Sequence, residues 1–108
     1  VMDNHQIGSV EYAADHLGTS LVVVLGHSNC GAVGAALGHD PSGYVKYITD
    51  EIKKAIGDEK DAARASCLNV ERSVSIIRES LKEMVEAGRL TVCGAIYQID
   101  SGRVDFLD

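Results

Sequence analysis

Five aliphatic residues in a row, Leu21-Val22-Val23-Val24-Leu25, stop at Gly26 and hand over to a short polar loop, His27-Ser28-Asn29-Cys30-Gly31. The run is β-branched at its centre and has no polar alternation. It therefore predicts a strand buried on both faces, as in a parallel α/β sheet. A strand of that kind also needs neighbours on both edges. The run is the longest of its type and is far too short to cross a bilayer.

The rest of the chain alternates helical and strand patterns. Val10, Ala13, Ala14 and Leu17 share one helical face, with Ser9 as the expected N-cap and Gly18 as the left-handed stop. Small residues from Ala32 to Leu37, closed by Gly38, predict a tightly packed helix. Asp40-Pro41-Ser42-Gly43 predicts a turn. Val45, Ile48, Ile52 and Ile56 mark a helix ending at Gly57. Ala63, Cys67, Val70, Val74, Ile77, Leu81 and Met84 form an apolar stripe that predicts one long helix over 61–87, stopped by Gly88. Leu90 to Ile99 predicts a second strand, and Asp100-Ser101-Gly102 a turn into a short strand at 104–107. The fold class is α/β: a mostly parallel sheet flanked by helices, with a C-terminal hairpin, in a single domain over 1–108. Three strands make a thin sheet, so the expected edge partners must come from elsewhere.

Charge and cysteine usage narrow the function. A net charge of −6 without a basic stripe excludes a phosphate-backbone grip, so no nucleic-acid partner is expected. No signal-like or membrane-spanning segment stands in the sequence. Three widely spaced cysteines, Cys30, Cys67 and Cys93, fit a reducing compartment, the cytoplasm, better than a disulfide framework.

The loop after the first strand is where chemistry is expected. Open α/β sheets place ligands at the carboxyl ends of their strands. A cysteine at a helix start meets the positive end of the helix dipole and free amides, which favour the metal-binding thiolate form. A histidine three residues earlier reaches the same point, and zinc takes that nitrogen and sulfur pair readily. The spacing alone also suits a backbone-bonded His and a small buried Cys. Other motifs fail: Ala36 stands where a cysteine phosphatase needs Arg, and there is no Gly-Lys-Ser/Thr phosphate loop or Cys-x-x-Cys pair. Cys67 and Cys93 are expected in the core. His5, His16 and His39 are expected in solvent, and Tyr44 and Tyr47 at the surface or an interface.

Ile7-Gly8-Ser9-Val10-Glu11-Tyr12-Ala13-Ala14, Leu17-Gly18 and Val23-Val24-Leu25-Gly26-His27-Ser28-Asn29-Cys30-Gly31-Ala32-Val33 together resemble the β-class carbonic anhydrases. Asn69-Val70, Gly94-Ala95-Ile96-Tyr97 and Asp100-Ser101-Gly102-Arg103-Val104 are similar to the same family, in register from about residue 7 to 107. The resemblance implies a zinc enzyme that hydrates CO₂ to bicarbonate, with zinc held by two Cys and one His. His27 and Cys30 match two of those ligands. Ser28 and Asn29 would shape the active-site loop, and Gly31 would let backbone approach the metal. The zinc would lower the pKa of bound water to about 7. The resemblance also implies dimers or higher oligomers with interfacial sites. The family's Cys-x-Asp-x-Arg motif, with the third ligand and the catalytic Asp–Arg dyad, has no match here, so the chain reads as truncated relative to the family. A missing N-terminal segment is then an expected partner, and activity of this chain alone is in doubt. Two alternatives stand: a catalytically silent α/β interaction module, and a relative that hydrolyses carbonyl sulfide or carbon disulfide.

Overall fold

The computed structural model describes residues 1–38 and 41–107. The elements run α1 (Asn4–Asp15), β1 (Leu21–His27), α2 (Gly31–Leu37), α3 (Val45–Ile56), α4 (Ala62–Ser80), α5 (Lys82–Glu86), β2 (Thr91–Tyr97) and β3 (Val104–Leu107). The sheet order is β1-β2-β3. Strands β1 and β2 run parallel, with Leu21 opposite Thr91 and His27 opposite Tyr97. Strand β3 returns antiparallel on β2 as the expected hairpin. A parallel pair needs a long crossover, and α2 to α5 supply it.

Helix α4 positions everything else. Val70, Val74 and Ile77 pack on Val92 and Ile96 of β2, with Val22 and Val24 of β1 beside them. The approach is close because two strand positions lack a side chain. A Cβ on Gly26 would sit 2.6 Å from Val70 Cγ2, and one on Gly94 2.6 Å from Val70 Cγ1. Glycine in a strand interior here marks that close contact, not a loop. A second cluster, built on Val33, Ala36, Ile52, Ile56 and Ala65, joins α2 and α3 to α4.

Several expectations change. Strand β1 is not buried on both faces: it lies at the sheet edge, and Leu21, Val23 and Leu25 are exposed. Its composition specifies a strand between two layers and two neighbours, and among the described residues only one of each is supplied. The first helix starts at Asn4, not after Ser9. The Asp3 carboxylate accepts from the Gln6 amide at 3.0 Å, while Ser9 sits inside the helix with its hydroxyl donating to the His5 carbonyl. Asp3 thus takes the N-cap role. Gly18 does adopt a left-handed φ of 71°, two residues past the cap, but Leu17 is exposed.

The long helix over 61–87 is broken in two. Leu81 leaves helical geometry at φ −113°, ψ 34°, and α5 follows. The apolar stripe continues through the break because Leu81 remains buried and Met84 packs beside it. In α3 the buried face is Thr49, Ile52 and Ile56, whereas Val45 and Ile48 are exposed. Cys67 and Cys93 are half-buried, not core residues. His5, His16, Tyr44 and Tyr47 are exposed as expected; Tyr12 stacks on His16, and Tyr44 on Tyr47. The expected turn over 40–43 and the position of His39 lie partly or wholly outside the described residues. No described helix is long and apolar enough to cross a membrane.

Candidate metal centre

His27 is the last residue of β1, Ser28 and Asn29 make the turn, and Cys30 caps α2. Asn29 adopts φ +54°, the left-handed region that Asn tolerates better than most residues. That single turn reverses the chain tightly enough to bring Cys30 back to the strand end. His27, Ser28, Asn29 and Cys30 all line one cavity of about 660 Å³ between the carboxyl ends of the strands and the start of α4. Gly31 opens α2 just beyond, and a Cβ there would meet nothing within 4 Å.

The loop is tied to the hairpin by two bonds from one residue. The Ser28 amide donates to the Tyr97 carbonyl at 2.9 Å. The Ser28 hydroxyl accepts from the Ile99 amide at 3.0 Å. The Ser28 carbonyl, in turn, lies 2.8 Å from His27 Nδ1.

Among the cavity residues that the sequence does not single out as site residues are Ser66, Cys67, Gln98 and Asp105. The apolar stripe points Cys67 to the core, yet it is half-buried and lines the cavity. Asp105 was legible in principle, since it alternates with Val104 and Phe106 along β3. It pairs with Ile96, whose side chain lies on the α4 side. Arg103 grips the Asp105 carboxylate through Nε at 2.8 Å and Nη2 at 3.1 Å, and Gln98 Nε2 donates to it at 3.2 Å. The Arg103 guanidinium first, and the Gln98 amide second, hold the Asp105 carboxyl below the usual carboxylate range. The hairpin end is thereby stiffened beside the cavity.

Among the described residues, no three His, Cys, Asp or Glu side chains come together to hold a metal. One imidazole, two thiols and one carboxylate thus line the cavity without converging on one point as a coordination sphere.

The sequence model of the carbonic anhydrase family matches residues 1–104. Carbonic anhydrase 2 of Mycobacterium tuberculosis is 34% identical over 121 residues, which cover 100% of this chain and 58% of that protein. A carbonic anhydrase of Pseudomonas aeruginosa is 36% identical over 114 residues, covering 93% of this chain and 52% of that protein. Among solved structures, the β-carbonic anhydrase CafA of Aspergillus fumigatus superimposes with a TM-score of 0.85 at 29% identity, over 98% of this chain and 57% of that one. A tetrameric β-carbonic anhydrase of Sordaria macrospora does so with a TM-score of 0.84 at 28% identity, over 98% of this chain and 61% of that one. The chain belongs to the carbonic anhydrase family, and its fold is that of the β class. It spans 52–61% of the length of these relatives.

Proposed function

We propose that this chain carries part of a zinc-dependent carbonic anhydrase site, with His27 and Cys30 as two metal ligands and CO₂ and bicarbonate as the substrates. The observation that carries this reading is the turn through Asn29, which brings one imidazole and one thiol to a shared cavity at the strand ends. Nitrogen and sulfur donors of that kind suit zinc, which needs three protein ligands and an open position for catalysis. When bound, zinc supplies Lewis-acid activation of water. This chain's residues hold the metal, shape the loop through Ser28 and Asn29, and keep the backbone open at Gly31. Among the described residues no third donor joins them.

The same reading makes the protein an oligomer, or a chain completed by a further segment. Among the described residues strand β1 has one unpaired edge, and its outer face joins Val104 and Phe106 in an exposed apolar surface. Open edges and apolar patches of this kind drive association. All three cysteines are free, which supports a reducing compartment, the cytoplasm.

CO₂ hydration tests the activity. Assembled with the partner that completes its site, the protein should show zinc-dependent turnover, while the 108-residue chain alone should stay at background. Turnover by the purified chain alone would show that the site is already complete. Absent turnover in the zinc-loaded assembly would favour the second reading, a catalytically silent interaction module. That alternative draws on the lack of a three-donor cluster among the described residues.

A further inference from the structure

We infer that Ser28 is a positioning residue: its side chain clasps the hairpin so that its own carbonyl fixes the tautomer of His27 and turns Nε2 toward the metal. This inference rests on the zinc reading for its purpose, though not for its geometry. A carbonyl oxygen can only accept a hydrogen bond. The 2.8 Å contact between His27 Nδ1 and the Ser28 carbonyl therefore places the ring proton on Nδ1. In a neutral imidazole the other nitrogen, Nε2, then carries the lone pair a metal requires.

A carbonyl one residue away holds that direction only if the loop is itself held. Two contacts do so. Ser28 Oγ accepts from the Ile99 amide at 3.0 Å, across 71 positions of sequence, and the Ser28 amide donates to the Tyr97 carbonyl at 2.9 Å. The hairpin receiving these bonds is cross-braced: the Gln98 amide donates to the Arg103 carbonyl at 2.7 Å, and the Gly102 amide to the Gln98 carbonyl at 2.8 Å. Of these contacts only the hydroxyl one depends on residue 28 being Ser, since the others are backbone. A side-chain change at 28 thus loosens the clasp without removing the carbonyl.

The test reads the ring itself. Nitrogen-15 spectra of histidine-labelled, metal-free protein should show His27 protonated at Nδ1 in the neutral form. Ser28→Ala should shift it toward the mixture of tautomers of a free imidazole, and Ser28→Thr, which keeps the hydroxyl, should restore it. Zinc affinity should fall about 10–100-fold in Ser28→Ala and recover in Ser28→Thr. A wild-type His27 protonated at Nε2, or an unchanged tautomer in a folded Ser28→Ala, overturns the inference. Should Ser28→Ala not fold, the wild-type spectrum and the Ser28→Thr spectrum still decide it. A tautomer that follows Ser28 while zinc ignores Cys30→Ser would sustain the positioning role and reject the zinc reading, so the two failures are distinguishable.

Discussion

The two faces of the three-stranded sheet are made of the same strands and nearly the same residue types, yet they differ in every physical respect. On one face Val22, Val24, Val92 and Ile96 lie under α4, which comes close enough that Gly26 and Gly94 have no room for a Cβ. On the other, Leu21, Val23, Leu25, Val104 and Phe106 remain exposed, Phe106 by 66%. An apolar side chain specifies that it will be covered, not by what. The first face meets its cover among the described residues; the second meets none there.

The largest effect expected from this contrast is in the covered face. Ile77 is 1% exposed, and Ile77→Ala should cost about 2–5 kcal/mol through lost burial and a residual cavity. Urea unfolding of the chain measures it. Gly94→Ala comes next, because the new methyl must displace a stiff, β-branched Val70 or push α4 away; about 1–3 kcal/mol of destabilisation is expected by the same method. A cost near zero for Gly94→Ala would mean that α4 does not pack as closely as described.

The exposed face should behave in the opposite way. Leu25→Ser should change the unfolding free energy of a dilute monomer by no more than about 0.5 kcal/mol, while weakening self-association in sedimentation runs at higher concentration. Unchanged association would separate the exposed face from assembly and leave only the open edge of β1.

The smallest effect is electrostatic and lies between α3 and α4. Glu51 accepts from Lys54 Nζ at 2.8 Å and from Arg72 Nη1 at 3.0 Å, and these bonds, Lys54 first, hold its carboxyl below the usual glutamate value. A depressed folded-state pKa stabilises the fold fully above the ordinary glutamate value and loses that contribution as pH falls through the lowered one. The side chain is 35% exposed, so solvent screening leaves less than about 1 kcal/mol. Melting temperature against pH should therefore fall slightly more steeply on the acid side for wild type than for Arg72→Met.

Much of this fold is legible in the sequence. Periodicity placed β1, α2, α3, β2 and the hairpin because those segments carry strong local signals: a β-branched run, Gly38 and Gly57 at helix ends, Asp100-Ser101-Gly102 in a turn. The turn that brings His27 and Cys30 to one cavity was legible for the same reason. What failed was whatever depended on distant partners. The exposure of Leu21 and Leu25 follows from a layer that the strand itself cannot encode. The break at Leu81 hides inside an unbroken apolar stripe, and Cys67 reaches the cavity only because α4 starts beside the strand ends. The clasp between Ser28 and Ile99 joins two segments that no local pattern connects.

In the proposed site the turn through Asn29 supplies two zinc ligands, His27 and Cys30. Metal analysis of the assembled protein tests it most directly, comparing wild type with Cys30→Ser after exhaustive dialysis. The account predicts one zinc ion per subunit in wild type and loss of most of it in Cys30→Ser, with little zinc on the 108-residue chain by itself. Equal zinc in wild type and Cys30→Ser would contradict it.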